Sequence, residues 1–155
     1  MKLVLAGDSA GKSLVDIIAA HLVKKGEHEI VDLSVPEDKS AETYAVMTDR
    51  AAHAILDGRA DRGIFCCGTG IGVCISANKI PGIRAALTHD TYSASRAALS
   101  NDAHIITMGG RVIGSELAKA IVDTWLSSQH FDPNGSSAAN VKAIDDLDRK
   151  HARKA

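Results

Sequence analysis

The sequence predicts an α/β fold: a parallel sheet of five strands, covered by helices on both faces, in a single domain over residues 1–155. Three observations carry this reading. Short apolar runs ending at glycine or a charged residue alternate with longer stretches whose apolar residues recur at helical spacing. Short strands separated in this way by helices argue for a parallel sheet with both faces buried. The chain has 155 residues, 45% of them apolar and only 3% aromatic, enough for one domain with an aliphatic, alanine-rich core.

Taken in order, residues 3–7 form an apolar run closed by Gly7, the first strand. Residues 13–24 carry Leu14, Ile17, Ile18 and Leu22 at helical spacing, with Gly26 as the stop. Residues 29–33 read as the second strand. Residues 41–56 read as the second helix, ended by Asp57-Gly58. Residues 63–67 are the third strand, and 73–79 begin a helix after it. Residues 83–88 are the fourth strand, followed by a helix over 92–99. Residues 104–108 are the fifth strand, closed by Gly109-Gly110. Residues 115–126 form a long amphipathic helix. After Asp132-Pro133-Asn134-Gly135, residues 139–150 read as a last helix. The chain contains no internal repeat, linker or low-complexity segment.

The bulk numbers exclude several classes. A net charge of -1 without blocks of like charge argues against a dedicated nucleic-acid binder or a polybasic membrane surface. The apolar runs are too short to span a bilayer. Leu3-Val4-Leu5-Ala6 runs into Asp8 after one glycine, as a first strand does and a signal peptide does not. The cysteines number three, two of them adjacent, which is no disulfide framework and points to a reducing cytoplasm. His21, His28, His53, His130 and His151 show no metal-ligand spacing and read as surface residues, so neither a metal nor another cofactor is expected.

In such sheets ligands bind at the carboxyl ends of the strands. Those ends are Gly7-Asp8, Cys67 to Gly72, Thr88 to Asp90 and Gly109 to Arg111. The second carries the strongest signal, Cys66-Cys67-Gly68-Thr69-Gly70-Ile71-Gly72 between a buried strand and a helix. A thiol there, beside glycines that free backbone N–H groups, can act as base or nucleophile next to a site for a developing oxyanion. Cys66 and Cys74 read as small apolar residues. A second pattern, Ala6-Gly7-Asp8-Ser9-Ala10-Gly11-Lys12-Ser13, nearly matches a P-loop but lacks its first glycine. Asp32 is a weak partner for magnesium, and that reading leaves the cysteine loop without a role. The simpler view is a strand-to-helix turn shaped by Gly7 and Gly11, with Asp8 or Ser9 capping the helix.

Several blocks together resemble one family. They are Cys67-Gly68-Thr69-Gly70-Ile71-Gly72, Ser76-Ala77-Asn78-Lys79, Pro81 through Leu87, Ser100-Asn101-Asp102-Ala103 and Gly109-Gly110-Arg111-Val112-Ile113-Gly114. They resemble the ribose-5-phosphate isomerase B family, which includes the galactose-6-phosphate isomerase subunits, over residues 3 to about 144. The resemblance implies a Rossmann-like three-layer α/β/α sandwich. It implies a homodimer or dimer of dimers with active sites shared between subunits, the last helix packing on the partner. It implies metal-free aldose–ketose isomerisation of a sugar phosphate through a cis-enediolate. Cys67 then matches the family's base, and a helix N-terminus favours thiolate character. The backbone amides of Gly68, Gly70, Ile71 and Gly72 and the side chain of Asn101 match the donors to the enediolate. Thr69 matches a residue that orients substrate or moves its hydroxyl proton. Asp8 matches the aspartate that binds substrate hydroxyls, and Tyr44 a residue that reaches substrate, though it equally fits a packing position.

The chain departs from the family pattern in three places. Ser9 stands where a phosphate-holding histidine is usual. Ser100 stands where the ring-opening histidine is usual. Ser136-Ser137-Ala138-Ala139-Asn140 stands where two phosphate-binding arginines are usual, leaving Arg111 from that set. A tetrose 4-phosphate explains all three losses: its C4 hydroxyl is esterified, so it forms no furanose and needs no ring opening, and its phosphate lies one carbon nearer the reacting centre. The Asp8-Ser9-Ala10-Gly11 variant resembles the erythrose-4-phosphate isomerase branch. Ser9, Ser136, Asn140 and Arg111 are then the candidates for the phosphate. Alternative readings are a ribose-5-phosphate isomerase in which His89 or His104 replaces the missing histidine, a subunit that needs a partner chain, and an isomerase of unphosphorylated sugars. Arg84 and Arg96 read as interface or structural residues, and Lys12 as a solvated helix position.

Overall fold

Apolar side chains alternate faces along the central strands, and this alternation divides the core in two. The computed structural model describes residues 1–128 and 130–152; Gln129 and 153–155 lie outside the described residues. The elements are β1 (Lys2–Gly7), α1 (Lys12–Lys25), β2 (Glu29–Asp32), α2 (Tyr44–Leu56), β3 (Arg62–Cys67), α3 (Ile71–Ala77), β4 (Ala85–Leu87), α4 (Thr91–Leu99), β5 (Ile105–Gly109), α5 (Ser115–Ser127) and α6 (Ala138–His151). The sheet is parallel throughout, in the order β2-β1-β3-β5-β4. The expected α/β architecture is therefore present.

Leu3, Leu5, Ile64, Cys66, Ile106 and Met108 face α1, α4 and α5, with Trp125 at the centre of that layer. Val4, Ala6, Phe65, Cys67 and Ile105 face α2 and α3. Strands β1, β3 and β5 are buried on both faces, as strands sandwiched between helix layers must be. The edge strands β2 and β4 are shorter and half exposed. Alanines at 51, 52, 94, 97, 98 and 118 let the helices lie close to the sheet, which is how a core with so few aromatics fills its space.

Several boundaries shift. Helix α2 starts at Tyr44 rather than 41, because Thr43 is extended and its hydroxyl accepts the Val46 N–H at 3.4 Å. Glu42, outside the helix, pairs with Arg50 at 2.7 Å. The expected capping of α1 by Asp8 or Ser9 is corrected: Gly11 is the N-cap and no side chain caps it. The Asp8 carboxylate instead accepts the N–H groups of Ala10 and Gly11 at 3.0 and 2.9 Å, closing the turn before the helix. The fourth strand shortens to Ala85–Leu87, since Arg84 turns its N–H to His104 Nδ1 at 3.0 Å.

A charged cluster closes the amino end of the sheet. Arg84 bonds Asp102 at 2.9 Å and Asp145 of α6 at 2.6 Å, and Arg62 bonds the other Asp102 oxygen at 2.8 Å. Arg84 also donates to the carbonyls of Asn101 and Asp102, both at 3.1 Å from Nε. The turn at Asp102 has φ 42°, a conformation that costs a non-glycine residue energy and is held here by the two arginines. Burial, with Arg84 and Arg62 adding to it, lowers the His104 pKa to about 4.

That shift sets a stability window. The folded-state value lies below the ordinary 6.5, so the unfolded chain binds the extra proton first and stability rises with pH. The contribution is complete above the ordinary value and is lost as the pH falls toward about 4. Urea unfolding at pH 7 and pH 4.5 should differ by up to about 3 kcal/mol from this residue. His104→Asn, which keeps an acceptor for the Arg84 N–H without titrating, should remove that part of the acid sensitivity. An unchanged pH slope in the variant would count against it.

Candidate active site

The chain leaves β1 toward β2 on one side and reaches β3 on the other, so the loops after β1 and β3 open at the topological switch point of the sheet. They carry Asp8 and Cys67. The two loops touch. The Asp8 N–H donates to the Cys66 carbonyl at 3.3 Å. A Cβ on Gly11 would sit 2.3 Å from the Cys66 carbonyl carbon and oxygen, so only glycine allows α1 to start this close to β3.

Cys67 ends β3 and is 5% exposed. Its Sγ accepts the Gly70 N–H at 3.1 Å. Gly70 reaches this position with φ 77°, and it leads directly into α3. The thiol thus lies against the donor end of a helix, as the sequence suggested. Thr69 Oγ1 accepts the Ile71 N–H at 3.3 Å. Cys66, one residue earlier, faces the opposite layer, and burial together with Cys67 and Asp8 pushes its thiol pKa far up. The two adjacent cysteines are separated by strand alternation into one that the core keeps neutral and one at the site.

Arg111 closes this loop from the β5–α5 turn. Its N–H donates to the Gly68 carbonyl at 3.0 Å, and its guanidinium lies 3.4 Å from where a Cβ of Gly68 would be. Among the described residues no carboxylate pairs with Arg111. On the other side, the Tyr44 ring packs against Gly72, 2.8 Å from its would-be Cβ. Tyr44 also lines a cavity of about 360 Å³ with Asp8, Ser9, Lys12 and Ser34. Tyr44 is therefore shared between the Asp8 cavity and the Cys67 loop.

Lys12 and Ser34 are cavity residues that the sequence reading missed. Ser34 follows β2, at the carboxyl end of a strand, and its hydroxyl accepts the Gly7 N–H at 3.0 Å; that position was the available signal. Lys12 pairs with Asp16 and, at 3.1 Å, with Asp32. The hydrogen bonds that its ammonium donates, to Asp16 first, then to Asp32, raise its pKa against the cost of burial. Lys12 and Asp32 of the P-loop-like reading are thus paired with each other.

Asn101 and Ser100 do not join the site within one chain. Helix α4 runs back across the sheet, so its C-cap Ser100 and the following Asn101 lie at the amino end, among Arg84, Arg62 and Asp102. Ser100 accepts a hydrogen bond from Arg96, and Asn101 donates to the Arg96 carbonyl at 3.1 Å. His104 lies at the same end. Ser136 and Asn140 flank the start of α6, the helix that reaches Arg84 through Asp145. His89 does lie at the carboxyl end, where its Nε2 accepts the Gly109 N–H at 3.0 Å. Among the described residues no group of three or more His, Cys, Asp or Glu is placed to hold a metal ion, and no helix is long and apolar enough to cross a membrane.

The ribose/galactose isomerase family model matches residues 3–144. D-erythrulose-4-phosphate isomerase of Pectobacterium atrosepticum is 46% identical over 144 residues, covering 93% of this chain and 93% of that protein. Ribose-5-P isomerase B of Listeria innocua is 42% identical over 151 residues, covering 97% and 99%. The structure of Clostridium thermocellum ribose-5-phosphate isomerase B superposes with a TM-score of 0.88 at 39% identity, covering 98% of this chain and all of that one.

The close approach of the two loops is testable without substrate. Gly11→Ala should destabilise the protein by about 1–3 kcal/mol, because its methyl meets backbone that cannot move aside. Gly114→Ala, where a Cβ meets nothing within 4 Å, should cost less, about 0.5–1 kcal/mol for the poorer N-cap of α5. Equal urea midpoints for the two variants would contradict the packing described.

Proposed function

The chain belongs to the ribose/galactose isomerase family, and from that premise we propose that it interconverts D-erythrulose 4-phosphate and D-erythrose 4-phosphate with Cys67 as the base. The observation that carries the base assignment is the Cys67 Sγ receiving the Gly70 N–H at 3.1 Å. That contact holds the sulfur beside the amides at the start of α3. The thiolate takes the proton from the carbon beside the carbonyl. The electron pair moves to the oxygen and forms the cis-enediolate, and the thiol returns the proton to the neighbouring carbon. The Gly72 amide in the first turn of α3 has no partner inside the helix and serves the enediolate oxygen. Thr69 serves the hydroxyl proton. Asp8 keeps one carboxylate oxygen on Ala10 and Gly11, which aims the other at substrate hydroxyls. The unpaired Arg111 receives the phosphoryl group.

Ser100 supports the tetrose. It stands where ring opening would need a histidine, and a 4-phosphorylated tetrose has no furanose to open. D-erythrulose-4-phosphate isomerase is also the activity of the Pectobacterium relative. Ribose 5-phosphate remains the second reading, favoured by the Listeria relative at 42% identity. The purified chain should turn over erythrulose 4-phosphate well ahead of ribose 5-phosphate when both are assayed side by side. Cys67→Ala should lower kcat by about 10²–10⁴ while the protein stays folded. Preference for the pentose would overturn the substrate assignment and leave the base assignment standing; an active Cys67→Ala would overturn the base.

Asn101 serves the site from a second subunit, because in its own chain it lies at the opposite end of the sheet from Cys67. The assembly is thus a homodimer, or a dimer of dimers, in which the last helix packs on the partner. The free cysteines suit a cytoplasmic enzyme. Cys67→Ala and Asn101→Ala should each be impaired alone. Co-expressed, they should recover roughly a quarter of native activity, since half the dimers are mixed and each holds one intact site of two. No recovery in verified mixed dimers would place Asn101 outside the shared site.

A further inference from the structure

The turn that carries Arg111 is wedged between both loops of the site. A Cβ on Gly109 would lie 2.7 Å from the Thr69 carbonyl carbon, and one on Gly110 would lie 2.8 Å from the Ala10 oxygen. Two of its amides are held by the cysteine loop: the Gly110 N–H donates to the Cys67 carbonyl at 2.9 Å and the Arg111 N–H to the Gly68 carbonyl at 3.0 Å. The first amide of the turn, that of Gly109, has a different problem. Gly109 is the buried last residue of β5, and its neighbour β4 ends at Leu87, paired with Thr107. One more backbone bond follows, from the Thr88 N–H to the Thr107 carbonyl at 3.0 Å. Beyond it β4 offers Gly109 no carbonyl. The acceptor is instead the His89 ring, Nε2 at 3.0 Å.

We propose that His89 is a positioning residue: it replaces the missing strand partner of Gly109 and so fixes the turn that aims Arg111 at the phosphoryl group. The inference rests on the reading of Arg111 as the phosphate ligand. As an acceptor at Nε2, the ring is neutral with its proton on Nδ1. Nε2 is therefore occupied by the backbone, which gives His89 a role other than the ring opening weighed from sequence. Removing the ring leaves a buried N–H without a partner, and the turn relaxes to find one.

The test compares His89→Leu, which has no acceptor, with His89→Gln, whose amide oxygen can take the Gly109 N–H. The substrate is whichever sugar phosphate the enzyme turns over faster, with inorganic phosphate as competitive inhibitor. His89→Leu should raise KM and the phosphate Ki together by about 3- to 10-fold, with kcat held within about twofold. His89→Gln should recover most of the loss. In an Arg111→Ala background, His89→Leu should add nothing, as expected for two residues acting through one contact. If His89→Leu does not fold, His89→Asn takes its place, being too short to reach Gly109. Unchanged KM and Ki in the acceptor-free variant, or the full penalty persisting without Arg111, would overturn the inference while leaving the phosphate reading intact. An Arg111→Ala enzyme with native KM would remove the phosphate reading, and this inference with it.

Discussion

The site depends on one close approach of backbone to backbone. Helix α1 begins against the end of β3, with Gly11 where any side chain would collide with the Cys66 carbonyl. That contact brings the Asp8 loop and the Cys67 loop within hydrogen-bond distance, through the Asp8 N–H and Cys66 carbonyl. The switch point of the parallel sheet opens a crevice between β1 and β3 in any case. The missing Cβ keeps that crevice narrow, with an aspartate on the loop after one strand and a thiol at the end of the next. The buried halves of β1 and β3 anchor both loops, so the geometry is inherited from the core rather than built from the loops themselves.

The two ends of the sheet do different work. At the carboxyl end, polar groups are held by one or two bonds from backbone amides and keep an open valence. Cys67 takes one N–H, and Asp8 takes two on the same oxygen. At the amino end, charges are spent on one another: Arg62, Arg84, Asp102 and Asp145 form a closed network that pins α6 and the turn at Asn101. Truncating one member of such a half-buried network leaves its partners unpaired, which is why networks of this kind fix a conformation more than they add net stability. The rigidity matters because the Asn101 turn includes a residue at positive φ. A turn so held can present its side chain to a neighbouring subunit without being reordered on assembly.

The layer order and nearly every element were legible in the sequence because apolar spacing alone distinguishes half-buried helices from doubly buried strands. The candidate site at Cys67 to Gly72 was legible for a related reason: glycines and a thiol between a strand and a helix have few structural uses. What the sequence concealed was pairing. Lys12 reads as a solvated position until Asp16 and Asp32 are seen on either side of it. His89 reads as a turn residue until the end of β4 leaves Gly109 without a carbonyl. The start of α2 was missed by three residues because the cap at Thr43 competes with an apolar pattern that extends past it. The placement of Asn101 opposite Cys67 follows from the order read in the sequence, a helix over 92–99 and then a strand from 104 in a parallel sheet. Which end of a sheet a residue occupies follows from the direction of the helix before it, not from its neighbours in the chain.

The charge inventory bears on substrate length. Of the cations near the crevice, Lys12 is held by two carboxylates and Arg50 by Glu42. Arg111 alone among these has no carboxylate partner among the described residues, and it lies against Gly68, the residue after Cys67. A phosphoryl group drawn to that guanidinium is drawn close to the reacting carbons. A longer sugar phosphate would carry its phosphoryl group past Arg111. Charged hydrogen bonds are roughly twice as strong as neutral ones, so the site gains most from a substrate whose phosphate reaches the arginine while its carbonyl reaches Cys67. The shorter the chain between those two groups, the better one arginine serves, and a four-carbon sugar is the shortest that still keeps a hydroxyl for Asp8 between them.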